Sequence, residues 1–192
     1  MLDVPRETSA RLDALAGLLA KWNARINLVA PSTLADLDAR HVADSAQLWP
    51  LRPPGARTWV DLGSGGGFPG LVVAALGDVP VTLVESDGRK CAFLREAARA
   101  MGLHVTVLDQ RAEAAPPQNA DVVSARALAP LPALLPLVAR HLAPGGTAFL
   151  MKGRGWAEEV EAARAEWAFD LDARPSVTDP AARVLVVTGL HA

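Results

Sequence analysis

The sequence holds a single cysteine, Cys91, so no intrachain disulfide can form and no multi-cysteine zinc site can be built. Cys91 stands among helix-forming residues and reads as a buried structural thiol. A charge excess of either sign is also missing. The 19 basic and 21 acidic residues leave a net charge of −2, so no global basic field announces a nucleic-acid partner, and any RNA contact must come from a local patch. Sixteen of the basic residues are arginine, which with the abundant alanine reads as genome bias. No long apolar run is present. Arg6, Glu7, Arg11, Asp13 and Lys21 interrupt the N-terminal stretch, which therefore lacks a signal core. The most apolar region, Leu128 to Met151, is broken by Pro130, Pro132, Pro136, Arg140, His141 and Pro144 and cannot span a bilayer. Internal repeats and low-complexity tracts are absent. The expectation is a soluble, cytoplasmic protein with no membrane partner, and monomeric.

What remains is a globular composition, 51% hydrophobic and 21% charged, in 192 residues. That is enough for one domain with a full core and a small terminal extension. Leu12, Leu15, Leu18, Leu19 and Trp22 recur at helical spacing, predicting an amphipathic helix from about Glu7 to Asn23. A second helix is expected from the cap candidates Ser32 and Thr33 to about Leu48, followed by a Pro- and Gly-rich linker, Pro50 to Gly55. Residues 1–50 thus form a helical extension packed on the core, and residues 56–192 the main domain. In that domain strands are expected at Arg57 to Leu62, Val81 to Val84, His104 to Leu108, Asp121 to Ser124, Thr147 to Met151 and Arg183 to Thr188. Helices are expected at Pro69 to Leu76, Arg89 to Met101, Leu131 to Leu142 and Trp156 to Trp167. Such alternation predicts an α/β, Rossmann-like, doubly wound and mostly parallel sheet.

The strongest local signal is Trp59-Val-Asp-Leu-Gly-Ser-Gly-Gly-Gly-Phe-Pro-Gly70, a strand entering a glycine-rich loop with Pro69 opening a helix. Glycines there let the backbone approach a ligand. Gly65-x-Gly67-x-x-Gly70 with Glu85 twenty residues on also satisfies the dinucleotide fingerprint, which keeps a nicotinamide-dependent dehydrogenase as an alternative. Asp61, two residues before Gly63, gives Asp-x-Gly-x-Gly-x-Gly, which resembles class I methyltransferases. A carboxylate suits the cationic sulfonium and amino group of S-adenosyl-L-methionine and would repel a pyrophosphate. Glu85 ends its strand where a carboxylate can accept both ribose hydroxyls, with Ser86 and Asp87 on the same edge. The loop holding Glu113 is placed to meet the adenine.

Other segments resemble one family, RsmG/GidB, in the right order: Trp22-Asn-Ala-Arg-Ile-Asn-Leu28, Arg40-His-Val-Ala-Asp-Ser45, Gly63 to Gly70, Arg89-Lys-Cys-Ala-Phe-Leu94, Arg111-Ala-Glu113, Ser124-Ala-Arg-Ala127 and Met151-Lys-Gly153. The resemblance implies a class I methyltransferase fold and a cofactor site at Gly63, Phe68, Glu85, Ser86, Asp87, Ala112, Glu113 and Arg126. It also implies N7-methylation of a guanine in the 530 loop of 16S ribosomal RNA, alone or in the small subunit. Gly66, Ala46, Arg89 and a C-terminus without a basic residue depart from the family pattern.

Guanine N7 carries a free lone pair at neutral pH, so the expected chemistry is in-line positioning without a general base. The residues agree, since no Cys, His or paired carboxylate set demands a nucleophile role. Arg126 follows the fourth strand at the sheet's carboxyl edge and is the candidate for orienting cofactor or guanine. Lys152, Arg154, Arg40 and His41 are the candidates for RNA contact, with Asp44 a possible partner of His41. A non-catalytic RNA-binding relic of a methyltransferase is the remaining alternative.

Overall fold

The computed structural model describes residues 4–192. A seven-stranded sheet runs in the order β3-β2-β1-β4-β5-β7-β6, built from β1 (Trp59–Leu62), β2 (Val81–Glu85), β3 (Val105–Asp109), β4 (Ala120–Arg126), β5 (Leu142–Lys152), β6 (Ala168–Pro175) and β7 (Arg183–His191). β1 to β5 pair in parallel, and β7 is inserted antiparallel between β5 and β6. The helices are α1 (Arg6–Asn23), α2 (Asp44–Ala46), α3 (Gly70–Leu76), α4 (Gly88–Ala100), α5 (Leu131–His141) and α6 (Trp156–Ala163).

Strand alternation sorts the core into two halves. Trp59, Leu83, Val122 and Phe149 face α1, α3 and α4, while Val60, Val84, Val123 and Leu150 face α5 and α6. The first half takes in the N-terminal extension: Leu12, Leu15 and Leu19 of α1, with Val29, Leu37, Val42 and Leu48, are buried in the same cluster as Phe93 and Phe149. At roughly 25 cal/mol per Å2 of apolar surface, each such leucine contributes about 1.5–3 kcal/mol. The extension is therefore one wall of the sheet's own core. In α5, Pro136 removes an N–H from the helix interior, but it lies on the exposed face, where water can reach the carbonyl left over. Among the described residues no helix is long and apolar enough to cross a membrane.

Three expectations need correction. The helix predicted to Leu48 is instead a 3-10 turn (Pro31–Asp36), a π-helical turn (Asp38–Ala43) and the single turn α2. Buried Leu37 and Val42 are five residues apart, a spacing that ordinary helical pitch turns away from one face and the wider π turn restores. The helix predicted to Trp167 stops at Ala163, and β6 follows. Its sequence, Phe169-Asp-Leu-Asp-Ala-Arg174, carries the period of two that marks a half-buried edge strand. Finally, Pro69 is the residue before α3 rather than its first helical residue.

Candidate active site

The strand order reverses between β1 and β4, so their carboxyl ends open a crevice, the usual ligand position in such sheets. The loop from Gly63 to Pro69 fills one side. Gly63 and Ser64 N–H donate to the Val84 carbonyl, which ties the loop to β2. Gly65 takes φ +50°, a left-handed conformation that would strain any side chain, and its N–H donates to Glu85 Oε2 at 2.9 Å. Glu85 Oε1 accepts from Ser86 N–H at 2.8 Å and Asp87 N–H at 2.9 Å. The buried carboxylate is thus aimed by three backbone donors at the rim of a cavity of about 240 Å3, lined by Gly63, Gly65, Glu85, Ser86, Ala112 and Glu113, with Lys90, Gln110 and Leu128. His141, fully buried, holds the Ala112 carbonyl through Nε2 at 2.8 Å and thereby fixes the far wall.

Not every expected cofactor residue lies there. Asp61 is fully buried on the Trp59 face of β1, not on the cavity. Its Oδ1 accepts from Ser124 Oγ at 2.6 Å and its Oδ2 from Gly70 N–H at 3.3 Å, so it fastens β4 and the start of α3 to β1. Burial pushes its pKa up to about 6, against the opposing pull of the Ser124 hydrogen bond. Asp87 caps α4 by accepting from Arg89 N–H at 2.9 Å and pairs with the Arg89 side chain, which holds its carboxyl below the usual range. Phe68 is buried against His41, with ring centroids 5.1 Å apart. Cys91 is buried and donates to the Glu85 carbonyl; burial and Asp109 raise its pKa to about 11, so it is not a reactive thiol.

A second cavity of about 500 Å3 adjoins the first across Ala127 and Leu128, between the ends of β4, β5 and β7. Arg126 lines it, as do Asp44, Lys152 and Glu159. Immediately after Arg126, Ala127 is held at φ +52°, a strained conformation for alanine located on the lip the two cavities share. Arg126 lies 3.4 Å from Asp44, 2.9 Å from His41 Nδ1 and 5.2 Å above the Phe68 ring. Burial, reinforced by the Arg126 charge, lowers the His41 pKa to about 4, so its ring is neutral at physiological pH.

The basic residues expected at RNA divide. Lys152 is committed inside: Nζ donates to the Ala129 carbonyl at 2.6 Å and pairs with Glu159 at 2.8 Å, leaving its side chain 9% exposed. His41 is engaged with Arg126 and, through Nε2, with Thr33 at 2.7 Å. Arg40 and Arg154 are exposed. Lys90, Gln110 and Glu159 were missed as site residues, and Asp44, expected as a partner of His41, pairs with Arg126 instead. Lys90 lies in a segment that drew attention for other positions, whereas Gln110 and Glu159 carry no sequence signal.

Sheet order, glycine loop and strand-end carboxylate define a class I methyltransferase fold. The Gly70 N–H at the head of α3 is occupied by Asp61 instead of being free for a pyrophosphate, which counts against the dinucleotide alternative. A TehB-like S-adenosylmethionine-dependent methyltransferase from Corynebacterium glutamicum shares the fold at TM-score 0.62 and 16% identity, covering 92% of this chain and 98% of that one. A ribosomal protein L11 methylase from Lactobacillus delbrueckii subsp. bulgaricus does so at TM-score 0.63 and 20% identity, over 75% and 76%. The family described as rRNA small subunit methyltransferase G (GidB) matches residues 8–183, and the chain belongs to it. It is 53% identical over 192 residues to ribosomal RNA small subunit methyltransferase G of Paracoccus denitrificans, covering 99% of each chain. To the protein of that name from Rhodospirillum centenum it is 58% identical over 182 residues, covering 95% of this chain and 84% of the relative.

Proposed function

We propose that the protein transfers the methyl group of S-adenosylmethionine to N7 of a guanine in the 530 loop of 16S ribosomal RNA, acting in the cytoplasm as a monomer on the RNA or the small subunit. The donor supplies an activated methyl on a cationic sulfur. The first cavity suits it: Gly65 brings backbone close without a side chain, and Glu85 presents preset oxygens to ribose hydroxyls. Ala112 and Glu113 border the place for the adenine.

The observation that carries the N7 reading is the state of the titratable groups around the second cavity. His41, with its pKa near 4 and both ring nitrogens engaged, is a poor proton acceptor at neutral pH. Asp44 is paired with Arg126, and Glu159 with Lys152. An acceptor that must lose a proton would find little help here, whereas a ring nitrogen with a free lone pair needs only alignment, which can supply roughly 7–11 kcal/mol of the barrier. Arg126 orients the base from the wall of that cavity, and an unstacked loop guanine is the form of RNA that can enter it.

The test is methyl mapping. Labelled donor is incubated with naked 16S RNA and with small subunits, and the modified nucleotide is located. Label at one 530-loop guanine, abolished when that base is 7-deazaguanine, is expected. Undiminished labelling of the 7-deaza substrate would overturn the N7 assignment, and donor binding without transfer to either substrate would favour an RNA-binding relic.

A further inference from the structure

The polar contacts around the second cavity converge on Asp44, a residue outside the glycine loop and outside the sheet. Its Oδ1 accepts from Gln47 Nε2 at 2.8 Å, Ser176 Oγ at 3.1 Å and Thr178 Oγ1 at 2.9 Å. Its Oδ2 faces Arg126 Nη1 at 3.4 Å. Donors from the N-terminal extension, the end of β4 and the loop between β6 and β7 thus meet at one carboxylate. The Arg126 and Asp44 side chains are only 18% and 15% exposed, so solvent and salt shield the pair weakly. On its other sides the guanidinium meets neutral His41 and the Phe68 ring; among the described residues Asp44 is the one carboxylate within salt-bridge distance, with buried Asp61 acting on it from farther off.

We propose that Asp44 is a positioning residue, which holds the Arg126 guanidinium at the wall of the acceptor cavity, and that Ser176 and Thr178 keep Asp44 in place from the β6–β7 loop. The proposal rests on reading that cavity as the seat of the acceptor base. An arginine side chain has many rotamers, and only a fixed one presents its charge without reorganisation when the base arrives. With three hydroxyl and amide donors on one oxygen, the carboxylate cannot turn to follow Arg126 if the cation leaves. The geometry is set by the protein before any substrate binds.

Asp44→Asn tests this, because it keeps an acceptor for the hydroxyls while removing the charge that faces Arg126. Donor affinity, measured by calorimetry on the full chain, should change by less than about threefold, because Asp44 does not line the first cavity, whereas single-turnover transfer at saturating small subunit should fall about tenfold or more. In an Arg126→Gln background the same change should cost less than about twofold, since a residue acting through Arg126 has nothing left to position. A readout independent of activity is the Arg126 side-chain Nε–Hε resonance in arginine-labelled protein, identified by its loss in Arg126→Lys; it should shift and broaden in Asp44→Asn. If Asp44→Asn does not fold, the pair Ser176→Ala with Thr178→Val leaves the charge in place and should broaden the same resonance. An unchanged resonance in the variant that folds, or a full tenfold loss persisting without Arg126, would overturn the proposal. A shifted resonance in an enzyme whose wild type methylates no ribosomal RNA supports the positioning role and rejects the acceptor assignment alone.

Discussion

Replacing Asp61 with asparagine removes a charge at almost constant volume from a site with no solvent exposure. The carboxyl pKa of Asp61 lies near 6 in the fold against an ordinary 3.8. The folded state therefore takes up a proton that the unfolded state releases, and ionised Asp61 weakens the fold above about pH 6. At about 1.4 kcal/mol per pH unit the full penalty is about 3 kcal/mol, relieved as the pH falls from about 6 toward 3.8. Asparagine has no such titration. It can keep its carbonyl on Gly70 N–H and turn its amide toward Ser124 Oγ, so the geometry of β1, β4 and α3 survives. Stability of Asp61→Asn relative to wild type should then improve by about 2 kcal/mol between about pH 4.5 and pH 8, read by urea unfolding followed by circular dichroism. Other titrating groups are common to both proteins and cancel in the difference. A difference that stays constant across that range, within about 0.5 kcal/mol, would refute the assignment of a strained buried charge. Donor affinity supplies the second arm. Because neither oxygen reaches the cavity, Asp61→Asn should weaken donor binding less than the Glu85 substitution below, and a larger loss would return Asp61 to direct contact with the ligand.

Glu85→Gln should weaken S-adenosylmethionine binding by about 1.5–3 kcal/mol in calorimetry, because it loses the charge behind the hydrogen bonds to the ribose and sets an amide against Gly65 N–H; unchanged affinity would remove the ribose role. Gly70→Ala places a methyl against Leu83 and 2.9 Å from Asp61 Oδ2 and should cost about 1–3 kcal/mol in thermal unfolding; a neutral result would mean that α3 shifts freely. Arg154→Ala should weaken RNA binding and lower the salt slope by about 1. Lys152→Met should leave that slope unchanged and destabilise the fold by about 1–2 kcal/mol, since the part-exposed Glu159 loses its cation but keeps the Leu131 N–H. The single-turnover rate should be nearly flat from about pH 6.5 to 8.5 and stay flat in Arg126→Gln, since His41 has already lost its proton well below that range; a neutral midpoint would refute transfer without a general base.

The parallel strands, the glycine loop and Glu85 were legible in the chain because each depends on local chemistry. Apolar runs such as Val81-Thr-Leu-Val84 pair wherever both faces of a sheet are covered, and positive φ at Gly65 favours glycine on backbone sterics alone. The ordered segments from Trp22 to Gly153 carried the family in the same way. Tertiary structure decided which charged groups face a cavity. Asp61 and Glu85 both lie near the ends of their strands beside one loop, yet the pleat and neighbouring strands bury the first among Ser124 and Gly70 and leave the second at a cavity rim. Lys152 and Arg154 are two residues apart, and only the approach of α6 takes one of them out of reach. Asp44 and Ser176 are far apart in the chain, so no pattern in either segment could announce their meeting. An ionisable side chain is assigned by what its charged end touches, and those partners come from strands and loops that only the folded sheet brings together.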